Sequence, residues 1–308
     1  MPAETVSRIE TAWPVRLHQA CVRIGGLSLA LSGASWDEIR LSRESEMFQD
    51  FDEDPDIEVQ IDWVEKLERR RDQPVFDSGA LWTLFRDGRE FIFDFSSPAF
   101  GPLPYKRLRT DTEFRKARLI LNREALRDFR PVFPLEYPTD ELLITNYLAS
   151  GVGVEVHGCG LVDPDGGGGC LFLGHSGAGK STTARLWETF RAPEILSDDR
   201  IILRLHDGEL WMYGTPWHGE AAFATPGKAK LDRIHILRHG TRNNFSHLSQ
   251  ARAVGEVFAR SFPPFHSPAG LEKTVEFIKR ALDAVRCYEF EFVPDSSSVA
   301  AVLGFKAS

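Results

Sequence analysis

One stretch of the chain has the residue types and spacing to do phosphate chemistry: Cys170-Leu-Phe-Leu-Gly-His-Ser-Gly-Ala-Gly-Lys-Ser-Thr-Thr183. Gly174, His175, Ser176, Gly177, Ala178, Gly179, Lys180 and Ser181 take the form Gly-x4-Gly-Lys-Ser, and Thr182 follows. Four apolar residues before it read as a strand, and Ala184, Leu186 and Trp187 after it read as a helix, the context a phosphate-binding loop requires. Glycines let the backbone turn its N–H groups inward, and the helix N-terminus adds its positive end. In such a loop Lys180 reaches the β- and γ-phosphates, and the Ser181 hydroxyl ligates Mg²⁺. The plainer alternative is a glycine turn with a solvated lysine; the complete motif in this context favours a nucleotide.

A second chemical feature lies downstream. Leu196-Ser-Asp-Asp-Arg200 places two carboxylates, Asp198 and Asp199, between apolar flanks. Adjacent side chains on a strand point to opposite faces. One acid can therefore face a metal and the other an acceptor, unless the pair is an ordinary surface turn. The loop Tyr213-Gly-Thr-Pro-Trp-His-Gly-Glu220 has no periodicity, and its polar groups suit substrate or metal contact as well as a turn around a packed Trp217. No transition-metal site is expected from the nine histidines.

The elements that must position these groups fall in two parts. Residues 1–135 read as mostly β-structure: alternation around Gly25-Gly26, a strand through Ile57, Val59, Ile61 and Trp63, and a hairpin over 81–95 turning at Asp87-Gly88. The acidic loop around Asp50–Asp56 reads as a solvated connection, and the basic segment from Lys106 to Arg118 as a solvated face, the alternative being a docking patch for an acidic partner. Pro131, Pro134 and Pro138 mark a boundary. Residues 136–308 then read as an α/β domain: a helix from Thr139, a strand over 152–163, a turn Pro164–Gly169, the strand Cys170–Leu173 and a helix over 181–190. Beyond these come a hairpin at Asp207-Gly208, a strand at Ile234–Leu237, helices near 250–261 and 271–285, and a closing strand at 288–292. A nucleotide is expected at the carboxyl end of the strand Cys170–Leu173.

Composition narrows the classes. The chain has 308 residues, enough for about two domains. Its formal charge of −8 argues against general nucleic-acid or anionic-membrane binding. Four scattered cysteines suggest reduced thiols and a cytoplasmic protein. Glu4, Arg8 and Glu10 interrupt any secretory signal, and no apolar run approaches membrane-spanning length.

The second part resembles the catalytic domain of the HPr serine kinase/phosphorylase family, whose P-loop fold is of the phosphoenolpyruvate-carboxykinase type. Three blocks carry the likeness: His157-Gly158, Gly174–Thr182 and Leu196–Arg200. Gly214–Glu220 is similar to divergent HPr-kinase-related proteins. The chain lacks the Glu-x-Arg-Gly-x-Gly signature of the bifunctional members. The resemblance implies an ATP- and Mg²⁺-dependent kinase acting on a serine-type hydroxyl of a protein or peptide, and an oligomer. It implies Lys180 on phosphate, Ser181 on Mg²⁺, Asp198 as the base, His157 modulating that base, Asp199 beside the metal and Glu220 as a further metal ligand. An ATP-binding regulatory module without transfer and a small-metabolite kinase are the competing expectations.

Overall fold

Alternating apolar and polar residues build the first of two large sheets, seen in the computed structural model, which describes residues 20–33, 39–165 and 168–305. The charged residues Glu4, Arg8 and Glu10 and the Gly166-Gly167 step of the expected turn lie outside the described residues. Strands β1 (Ala20–Ile24) and β2 (Leu27–Gly33) flank Gly25-Gly26, and a short helix α1 (Arg43–Glu46) precedes β3 (Ile57–Val64). In β3 Ile57, Val59 and Ile61 are buried while Glu58, Gln60 and Asp62 are half-buried, as their alternation requires. β4 (Phe76–Asp77), β5 (Trp82–Asp87), β6 (Glu90–Phe95), β7 (Lys106–Thr110) and β8 (Lys116–Asn122) follow, then helix α2 (Arg123–Leu126). The order is β1-β2-β3-β8-β7-β6-β5-β4, with β3 parallel to both its neighbours.

The basic segment expected to be a solvated face is instead two strands whose charges are tied across the sheet. Arg107 pairs with Asp94, Arg109 with Glu90 and Arg118 with Asp62, while Lys106 is buried. Past the proline-marked boundary, α3 (Thr139–Leu148) turns its apolar residues into the core beneath this same sheet. Leu143, Ile144 and Leu148 join Leu29, Phe93 and Leu119 there, together with Ile202, Tyr213 and Trp217 from further along. The two parts of the chain thus share one core.

The remainder is mixed α/β: β9 (Val154–Val162), β10 (Gly169–Leu173), α4 (Lys180–Arg191), β11 (Glu194–Ser197), β12 (Arg200–His206), β13 (Glu209–Tyr213), β14 (Lys228–His239), β15 (Asn244–His247), α5 (Gln250–Phe258), α6 (Pro268–Ala284), β16 (Arg286–Phe292) and α7 (Ser296–Gly304). β10, β14 and β16 run parallel, and β10 also pairs antiparallel with β9. The continuous apolar run of β10 reflects burial on both faces. Leu171 and Leu173 pack with Ala253 and Val257 of α5 and Phe277 and Ile278 of α6. Cys170 and Phe172 face Ala184 and Trp187 of α4 and Val299 and Val302 of α7. Helix α7, after the expected closing strand, was not anticipated from the sequence. All four cysteines are free and buried. Among the described residues, no helix is long and apolar enough to cross a membrane.

Candidate phosphate-binding site

β10 ends at Leu173, the chain turns through Gly174–Gly179, and α4 begins at Lys180. Gly179 caps the helix at φ 102°, and a Cβ there would meet the Phe292 ring at 2.4 Å, so only glycine fits. The cap has no side-chain acceptor, which leaves the N–H groups of the first helical turn to a ligand. His175, Ser176 and Gly177 are exposed at the loop tip, and Ala178 is half-buried.

Lys180 is 6% exposed. Its Nζ donates to the carbonyl oxygens of Gly174 (3.1 Å) and His175 (3.2 Å), and among the described residues it forms no ion pair with a carboxylate. Burial holds its pKa below the ordinary lysine value, only partly offset by Asp199. A buried ammonium hydrogen-bonded to peptide carbonyls, with Asp199 near but not paired to it, is suited to receiving an anion. Thr182, next on the helix, is exposed; Thr183 turns inward and donates to the Gly179 carbonyl.

Ser181 donates its hydroxyl proton to Asp198 Oδ2 at 3.0 Å. Asp198 is fully buried, and three backbone N–H groups also bond it: Gly219 (3.0 Å) and Phe223 (3.3 Å) to Oδ1, Ala221 (3.0 Å) to Oδ2. Gly219 is glycine because a Cβ would lie 2.8 Å from that carboxylate. The block Gly214–Glu220 therefore serves the site through its backbone. Glu220, expected to ligate a metal, has an exposed side chain, and its carbonyl accepts from Arg185. Its carboxylate is not brought to Asp198 by any contact the structure records. Among the described residues there is no group of three or more His, Cys, Asp or Glu side chains placed to hold a metal ion. A Mg²⁺ held by Ser181 and phosphate oxygens needs no such group.

The two acids have different surroundings. Both acceptor oxygens of Asp198 are occupied, whereas Asp199 lines a cavity of about 320 Å³. His157 Nε2 lies 2.8 Å from Asp199 Oδ1, and Arg200 Nη1 lies 3.3 Å from Oδ2. Burial would raise the Asp199 pKa, but His157, Arg200 and Lys180 outweigh it and hold the carboxyl below its usual range. The His157-Gly158 backbone knits the site together. His157 N–H bonds the Arg260 carbonyl, Gly158 N–H bonds that of Asp199, and Gly174 N–H bonds that of His157.

Arg200 is the residue whose role the sequence did not reveal. Its Nε donates to Glu141 at 3.1 Å and lies 3.2 Å from Glu155, while its guanidinium sits 3.8 Å above the Phe262 ring. Glu155 gains no hydrogen bond from this approach, because the single Nε–H points to Glu141. Burial, followed by repulsion from Glu141, raises its pKa well above the ordinary value. The segment carrying Phe262 continues to His266, whose ring sits among Phe76, Phe91 and Phe93 of the first sheet at centroid distances of 5.9–6.2 Å. Asp140, at the start of α3, accepts from Trp217 Nε1 at 2.9 Å, and burial pushes its pKa up to about 7.

No family model matches the chain, and no curated protein matches it. Among solved structures it is similar to the Hpr(Ser) kinase/phosphatase from Coxiella burnetii, at 11% identity over 48% of this chain and 91% of that one. The TM-score of 0.28 makes this a loose likeness on which nothing below depends.

Proposed function

We propose that the chain binds Mg-ATP on the Gly174–Thr182 loop and transfers the terminal phosphoryl group to a serine-type hydroxyl of a protein or peptide. The observation that carries the reading is the buried Lys180 ammonium, held by two carbonyls and, among the described residues, not ion-paired to a carboxylate, at the start of a helix with an uncapped first turn. Ser181 gives its proton to Asp198 and so keeps its oxygen lone pairs for a cation. Magnesium, when bound there, supplies charge neutralisation between phosphate oxygens.

Asp199 takes the role expected for Asp198. Held ionised, it accepts the proton of the acceptor hydroxyl, whose oxygen forms the new bond to phosphorus as the bond to the β-phosphate oxygen breaks and ADP leaves. His157 fixes the carboxylate through Oδ1, and Arg200 steadies Oδ2. A nucleotide sensor has no use for such a dyad at a cavity, which favours transfer over binding alone. The test is titration calorimetry of Mg-ATP with the wild type and Lys180→Ala, with ADP production followed in the same preparations. Tight binding lost in the variant supports the reading; equal binding by both overturns it.

A further inference from the structure

The cavity beside Asp199 is built by both parts of the chain, and its lining has a chemical bias. Its lining includes Glu44 of α1, Tyr137, Asp140, Trp217 and His218, and Asp199 with Arg200. The single guanidinium is already engaged by three carboxylates, Glu141, Glu155 and Asp199. What remains for an occupant is the exposed carboxylate of Glu44, beside an Asp199 shared between His157 and Arg200, and two aromatic side chains, Tyr137 and Trp217. Carboxylates bordered by aromatic rings suit an ammonium or guanidinium, which gains from charge and from the ring face together. At about 320 Å³ the space takes one side chain or one small molecule, not a folded surface.

We propose that the phospho-acceptor is a hydroxyl compound bearing a cationic group, with its hydroxyl at Asp199 and its cation toward Glu44 and the aromatic walls. This rests on the phosphotransfer reading above and deepens it by naming the acceptor's chemistry. The same chemistry is offered by a free amino alcohol and by a serine next to a lysine in a peptide.

The probes are serinamide, its analogue 3-hydroxypropanamide, which lacks only the ammonium, and acetyl-Lys-Ser-amide beside acetyl-Glu-Ser-amide. Each is titrated by NMR into the full chain loaded with Mg-ADP, and ADP release from Mg-ATP is measured with each probe. The expected result is that a cationic probe binds and accelerates ADP release while its uncharged or acidic counterpart does neither. Serinamide alone succeeding identifies a free acceptor, and the lysyl peptide alone a peptide one. Glu44→Gln should weaken the cationic probe about five-fold, the scale of a partly screened charge pair, and leave Mg-ATP affinity unchanged. The proposal is overturned if neither cationic probe binds, if the neutral or acidic partner binds as well, or if Glu44→Gln has no effect. Because Mg-ATP affinity is measured on the same samples, failure of nucleotide binding marks the failure of the underlying reading instead.

Discussion

Two lysines are buried among the described residues, and they teach different lessons. Lys106 of β7 donates to the Pro134 carbonyl at 3.2 Å and to Thr139 Oγ1 at 2.9 Å, with Glu136 at 3.4 Å. Lys180 of α4 donates to two carbonyls and pairs with no carboxylate among the described residues. Burial lowers the pKa of both. The first has a carboxylate beside it and pins the chain between β8 and α3, so it reads as architecture. The second is held by carbonyls without a direct carboxylate pair, and such a group is retained for what it will meet. Burial alone does not mark a functional lysine; the identity of its partners does.

The comparison can be broken at several points. The largest effect is expected at the acid beside the phosphate loop. Asp199→Asn should lower phosphoryl transfer to a working acceptor by ~10²–10⁴-fold, the usual range for a lost general base, with Mg-ATP affinity retained. Asp198→Asn should behave otherwise, because an amide nitrogen cannot accept the N–H and hydroxyl donors now converging on that carboxylate. Its signature is a lowered melting temperature, and if it melted normally while Asp199→Asn still bound and transferred, the assignment of the two acids would be wrong.

Next comes the direct contrast of the lysines. Lys180→Ala should weaken Mg-ATP by about 100-fold in calorimetry through loss of charge-assisted hydrogen bonds to phosphate, with no loss of melting temperature. Lys106→Met should do the opposite. It leaves the Thr139 hydroxyl and Pro134 carbonyl without their donor, at a cost of about 1–3 kcal/mol in denaturant unfolding, while Mg-ATP affinity is unchanged. A nucleotide defect in Lys106→Met would erase the distinction.

A last expectation concerns pH. The Asp140 carboxyl has a native pKa of about 7 against an ordinary 3.8. Between those values the native state holds a proton the unfolded state has released, so this group's contribution makes stability fall as pH rises from about 4 to about 7. It is level outside that window. Asp140→Asn should remove that component, so the difference between wild-type and variant stability should slope through the window. Parallel curves would show that Asp140 titrates normally.

How far all this was legible depended on sequence distance. The phosphate loop could be read because its chemistry is contiguous: Gly174 to Ser181 closes on itself, and the apolar runs on either side declare strand and helix. The positions of Asp198 and Asp199 were legible too, but not their facing. β11 ends at Ser197, and the two acids lie in a bend, so strand alternation did not decide their surroundings. The N–H groups of residues 219–223 did, from more than twenty positions away. Arg200 was passed over because its partners Glu141, Glu155 and Phe262 are scattered along the chain. The strands β7 and β8 were hidden by their own arginines, which looked like a solvated surface until their cross-strand acids were in place.

The segment from Arg260 to His266 bears on how separable the two parts of the chain are. It lends a carbonyl to His157, a ring to Arg200 and an imidazole to the aromatic box formed by Phe76, Phe91 and Phe93. A fragment starting at residue 136 would contain Lys180, Ser181, Asp198, Asp199 and His157, and by inventory it would look complete. It would nonetheless leave His266 without its berth and the segment free to drift, and Arg200 with it. The first sheet is thus not cargo that could be exchanged for another recognition module by recombination at the prolines. Swapping it would detune the seat of the acid beside the phosphate loop, so the two parts must change together.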